Sequence, residues 1–189
     1  MVLNEPFLPD IARTLMDLGF DQGTGNFQAR WEERNPWNIP GPIYVGDDDS
    51  CGTGPAAAPN NVYMPESRDE RRFLPARVSG YGGEFVFRQP STLFELRQIL
   101  EASATNTTDA YAFDGDDQWT PQAVAGWWES VQPVRIDGRR LLDAFANDGR
   151  RRRDEPWPSD GLRRWIDYLE SGAEAYLDKY VALLQRSEH

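Results

Sequence analysis

The feature that most limits the fold of this chain is an apolar stripe close to its C-terminal end. Leu162, Trp165, Ile166, Leu169, Ala173, Tyr176, Leu177, Tyr180, Val181 and Leu184 recur at steps of three and four. The stripe spans roughly 25 residues, the spacing of one face of an α-helix. Ser159 or Asp160 supplies the N-cap. A helix with one apolar face needs a surface to cover it, so it is either the spine of a fold or an oligomer seam. Hydrophobic residues make up 39% of the chain and mean hydropathy is −0.68. With little other apolar surface on offer, the spine is the better reading.

The remaining elements are shorter. Phe7, Ile11, Leu15 and Leu18 predict an N-terminal helix over residues 6–20, stopped near Gly19. Residues 21–62 hold Pro36, Pro40, Gly41, Pro42, Gly46, Gly52, Gly54, Pro55 and Pro59, which exclude a long helix. Trp31, Trp37 and Tyr44 mark this stretch as ordered loop packed on something, with one strand over residues 43–46. Residues 65–75 are charge-rich and read as exposed, whereas Phe85, Val86 and Phe87 after Gly82 and Gly83 read as a strand or hairpin. A helix follows Pro90, with Thr92 and Glu95 as a capping box and Leu93, Leu96, Ile99 and Leu100 on one face. A short strand fits residues 111–113. Thr120 and Pro121 then open a helix carrying Val124, Trp127 and Trp128, and residues 139–147 form a further amphipathic candidate. The predicted class is α+β, a helix-rich single domain over residues 1–189 with a small antiparallel sheet and a long C-terminal helix.

Several chemistries are excluded by inventory. The one histidine is His189, so a Ser-His-Asp triad, a Cys-His dyad and His-based metal sites have no internal imidazole. Cys51 has no second cysteine to pair with, and Asp47, Asp48 and Asp49 beside it oppose a thiolate, so it reads as a structural thiol. Gly52-Thr53-Gly54 is followed by Pro55 and lacks the Gly-Lys-Ser/Thr of a phosphate loop. No run of apolar residues is long enough for a bilayer, and residues 1–10 carry acids without a basic region, so the expected compartment is the cytoplasm.

Charge is the positive clue. Formal net charge is −11, and residues 1–133 hold 20 acids against 9 bases while residues 134–189 hold 11 of each. Such a field repels nucleic-acid phosphates and favours a basic protein partner. Nineteen of the 20 bases are arginine, a codon signature of a GC-rich genome, and the run at residues 150–153 is flanked by Asp148, Asp154 and Glu155 and reads as a solvated connector.

Two acidic turns, Asp47 to Asp49 and Asp114, Asp116 and Asp117, lie near indole side chains such as Trp119 and Trp128. These eight residues are the expected partner-binding surface, since aromatic groups beside charged turns anchor protein interfaces. If the turns meet, Asp47, Asp49, Asp114 and Asp116 offer oxygen ligands to Mg²⁺ or Ca²⁺, though neither turn has EF-hand spacing. The alternative is a carboxylate enzyme acting on a small polar substrate, with those six aspartates as the site and Arg88 as an anion clamp. A glycosidase-type pair such as Glu84 with Asp114 is also chemically available. In general character the chain resembles the immunity proteins that accompany bacterial toxins, which are small, acidic and free of shared catalytic motifs. That resemblance implies a binding protein that inhibits a basic toxin or nuclease without a cofactor, and it assigns no residue a role. Oligomeric state is left open by the sequence.

Overall fold

A computed structural model describes residues 29–46, 52–65, 70, 83–105, 110–147 and 160–187. The expectations for residues 6–20, 47–49, 51, 66–69, 71–75 and 150–153 lie outside the described residues, and Pro65 and Glu70, the described members of the segment expected to be exposed, are buried instead.

In chain order the regular elements are β1 (Tyr44–Val45), α1 (Thr53–Ala57), β2 (Val62–Tyr63), β3 (Phe85–Val86), α2 (Leu93–Thr105), β4 (Tyr111–Ala112), α3 (Pro121–Asn147), α4 (Asp160–Ser171) and α5 (Ala173–Ser187), with 3₁₀ turns at Trp31–Glu33 and Gly115–Asp117. The class is α+β and helix-rich, as the periodicity predicts.

The strands form two antiparallel two-residue ladders, β1 with β4 (Tyr44 opposite Ala112, Val45 opposite Tyr111) and β2 with β3 (Val62 opposite Val86, Tyr63 opposite Phe85). Ladders this short are not stable by themselves. Buried side-chain amides extend them instead. Asn38 donates from Nδ2 to the carbonyls of Asn35 and Val45, both at 2.7 Å, and its Oδ1 accepts from Val45 N–H at 3.0 Å and Val86 N–H at 2.9 Å. One fully satisfied amide therefore joins β1 to β3. Gln89 repeats the device, donating to the Ile43 carbonyl at 2.7 Å, and Asn35 donates to the Glu84 carbonyl at 3.2 Å.

Helix α2 begins as the sequence suggests, with Thr92 Oγ1 accepting from Glu95 N–H at 3.1 Å. The Glu95 carboxylate, however, reaches one residue further back than a capping box requires and takes the Ser91 N–H at 2.7 Å. Helix α3 is one continuous element where the sequence reading placed two. Val124, Trp127, Val131, Val134, Gly138 and Leu142 are buried at steps of three and four straight through Pro133. Pro133 lies on the exposed side, where loss of one backbone bond is tolerated.

The C-terminal stripe is helical throughout, interrupted as an element at Gly172. The i to i−4 pattern nevertheless persists there, with Gly172 N–H on the Tyr168 carbonyl and Tyr176 N–H on the Gly172 carbonyl. A Cβ at Gly172 would press on the Tyr168 ring at 2.9 Å, so glycine lets that ring lie along the helix. Helix α4 covers the β2–β3 ladder. Trp165, fully buried, meets Phe85 at 4.8 Å, Tyr63 at 5.6 Å and Trp37 at 6.4 Å between ring centroids. The stripe is thus packed within the chain as a spine, sharing one apolar cluster with residues from Trp37 onward.

Candidate functional site

The acidic turn after β4 is held by the backbone of the turn before β1. Gly115 N–H donates to the Pro42 carbonyl at 2.9 Å, and Asp117 N–H to the Asp114 carbonyl at 3.1 Å. A Cβ on Gly115 would collide with the Gly41 carbonyl, so only glycine allows this approach. The chain then closes on itself through Trp119 N–H, which donates to the Gly115 carbonyl at 3.0 Å.

The three carboxylates differ in surroundings. Asp114, Asp116 and Asp117 all reach solvent. Asp116 also accepts from the hydroxyl of buried Tyr180 at 2.7 Å. Loss of water at that contact raises the Asp116 pKa above its ordinary value, the Tyr180 hydroxyl works in the opposite direction, and neighbouring Asp117 adds to the rise. Tyr180 stacks on Tyr176, whose hydroxyl donates to the Pro40 carbonyl at 2.9 Å. Helix α5 therefore buttresses the acidic turn from beneath. Burial holds the Tyr180 hydroxyl protonated, and the Asp116 charge reinforces this.

Beside the turn stands an aromatic group. Trp31 meets Tyr44 edge-on at 5.3 Å and Trp119 edge-on at 5.2 Å. The Arg34 guanidinium lies 3.8 Å from the Trp31 ring centroid and 5.4 Å from that of Trp119, and donates to the Trp31 carbonyl at 3.0 Å. Half-burial lowers the Arg34 pKa, with Tyr44 and Glu32 acting the other way. Burial first, and then Asp114, raise the pKa of Tyr44.

Several sequence expectations take a definite place here. Trp119 is 8% exposed, packed edge-on against Trp31 and topped by Arg34, so its indole lies at the core margin. On α3, Trp127 is buried with its Nε1–H on the Pro36 carbonyl at 3.1 Å, and Trp128 is half-buried. Arg88 is not a free clamp: it donates to Glu95 at 2.8 Å and to the Ser91 hydroxyl at 3.2 Å. Glu84 is fully buried, accepting from the Tyr111 hydroxyl at 2.6 Å and from Gly54 N–H at 3.1 Å, a setting unlike that of solvent-facing Asp114.

The two acidic segments attach to opposite ends of the β1–β4 ladder. Gly46, which leads to Asp47, donates to the Ala110 carbonyl at 2.7 Å, whereas the Asp114 turn sits on Pro42. Four residues of extended chain separate those ends by about 13 Å. Asp47, Asp48 and Asp49 themselves are outside the described residues. Among the described residues no group of three or more His, Cys, Asp or Glu side chains is placed to hold a metal ion. Arg34 was not anticipated from the sequence; the signal for it was an arginine three residues after Trp31 in a loop rich in aromatics.

Comparison with protein-family models, with curated proteins and with solved structures finds no match for this chain.

Proposed function

We propose that the chain is an acidic binding protein that neutralises a basic protein partner, in the manner of a cytoplasmic immunity protein acting on a toxin or nuclease. One observation carries the reading: among the described residues, no basic side chain forms an ion pair with Asp114, Asp116 or Asp117. The described ion pairs lie elsewhere. Arg30 holds Glu33, Arg88 holds Glu95, Arg139 joins Asp167 and Glu170, and Arg140 holds Asp137. An exposed acidic turn on a chain of net charge −11 draws a positively charged surface and speeds its approach.

The turn is also rigid enough to specify a partner. Gly115 fixes its backbone against Pro42 and Tyr180 fixes Asp116, so the turn and the Asp116 carboxylate are presented without the ordering cost of a free loop. No helix among the described residues is long and apolar enough to cross a membrane.

The test is a panel of basic toxin nucleases titrated at about 50 and about 200 mM salt, with the Asp114→Asn/Asp117→Asn double variant alongside. Charge-led recognition predicts roughly tenfold weaker binding at the higher salt, and a similar loss, mainly in association rate, for the variant. A panel without any binder, or a binder indifferent to both salt and the variant, overturns the reading.

A further inference from the structure

Trp31 and Trp119, with Tyr44 edge-on behind Trp31, form an aromatic box that already holds a cation, and the cation is the chain's own. The Arg34 guanidinium sits over Trp31 at 3.8 Å and within 5.4 Å of the Trp119 centroid, a distance range in which aromatic faces attract cations. What holds Arg34 is weak for a guanidinium. Its described hydrogen bond is to a neutral acceptor, the Trp31 carbonyl, and among the described residues no carboxylate pairs with it. The side chain is half-buried, so part of Arg34 reaches solvent. Two exposed acids act on this group: Glu32 acts electrostatically on both Arg34 and Tyr44, and Asp114 interacts with the Tyr44 hydroxyl.

We propose that this box is a recognition slot for a cationic side chain of the partner, an arginine or lysine, and that Arg34 is an internal occupant which the partner's cation displaces. Aromatic walls with a carboxylate rim suit a cation carried on an apolar stem, because the walls cover the stem while the rim faces the charge. Displacement exchanges one guanidinium for another, so the walls lose nothing while Arg34 regains water. The internal occupant also keeps the box from collecting stray cations, since a ligand must outcompete a group tethered beside it. This inference rests on the basic-partner reading above and narrows it to one side-chain chemistry.

The probes are acetyl-arginine amide and its uncharged citrulline counterpart, titrated into the whole chain and followed by indole fluorescence. Vacating the box with Arg34→Ala is expected to tighten binding of the arginine probe by about tenfold, with no gain for the citrulline probe. Adding Asp114→Asn to Arg34→Ala should remove most of that gain. Arg34→Gln, which keeps a donor for the Trp31 carbonyl, gives the same comparison should Arg34→Ala fail to fold. A vacated box that binds the arginine probe no better than the parent, or binds both probes alike, overturns the proposal and leaves Arg34 as a structural staple of the Trp31 turn. The two readings fail separately. If a nuclease binder is indifferent both to salt and to the Asp114→Asn/Asp117→Asn double variant, the acidic-turn reading is lost whatever the arginine probe does with Arg34→Ala.

Discussion

The helical region from Pro121 onward and the loop-rich region around β1 to β4 bury comparable side chains by different means. In the first, α3, α4 and α5 present apolar stripes to one another, and the backbone satisfies itself within each helix. In the second, each ladder has two residues per strand, and the amides of Asn35, Asn38, Asn61 and Gln89 provide the bonds that longer strands would have made. The helical region depends on volume and shape. The loop region depends on the bonds of its buried amides, where removing a partner leaves a costly orphan.

That contrast is tested hardest at the joint between them. Trp165 on α4 is fully buried against Phe85, Tyr63 and Trp37. Trp165→Ala is expected to cost about 3–5 kcal/mol, read as a lowered urea midpoint, because the surroundings close only partly on so large a void. Trp165→Phe should recover most of that loss if shape is what matters. An alanine variant within about 1 kcal/mol of the parent would mean that the two regions are held independently and that α4 is not their common wall.

Asn38 asks the complementary question. Asn38→Leu keeps the branched four-heavy-atom shape, adds some bulk and makes the site more apolar, a change of small cost in the helical region. Here it removes the acceptor of the buried Val45 and Val86 N–H groups, and a loss of about 3 kcal/mol is expected from thermal or urea unfolding. Asn38→Asp, which keeps an acceptor and loses both donors, serves as the second measurement. Tolerance of leucine would break the comparison outright, since it would make the loop region another apolar core.

The same contrast explains what could be read from the sequence. The stripe from Leu162 to Leu184 declares α4 and α5, and Thr120 with Pro121 declares the start of α3, because periodicity and caps are local signals. The sequence reading placed two helices here, yet Val131 and Val134 keep the buried step on either side of Pro133, and that pattern outweighs one lost backbone bond. Strands β1, β3 and β4 were visible as short aromatic and β-branched runs, while β2 and α1 were hidden in a stretch read as loop. No periodicity marks Asn38, since its role comes from partners seven and 48 residues away. The candidate site was partly legible. Asp114, Asp116 and Asp117 stood out by composition, whereas the anchoring of Asp116 by Tyr180, 64 residues distant, and the placing of Arg34 over two tryptophans are tertiary facts.

The smallest expected effect lies where the regions touch at the acidic turn. Burial raises the Asp116 pKa, so the folded chain holds a proton there more tightly than the unfolded chain does. The unfolded value is near 3.8, and between it and the raised folded value the native state binds more protons, so this group's contribution to stability falls as pH rises through that window. Asp116→Asn does not titrate, and its amide oxygen still accepts from the Tyr180 hydroxyl. The stability of the variant minus that of the parent should therefore climb with pH across the window and level off above it, measured by urea unfolding at a series of pH values. A difference that falls with pH instead would show that the Tyr180 hydroxyl favours the carboxylate by more than burial opposes it. The turn would then be stabilised by its charge, as the exposed ion pairs of the helical region are, and this last distinction between the two regions would be gone.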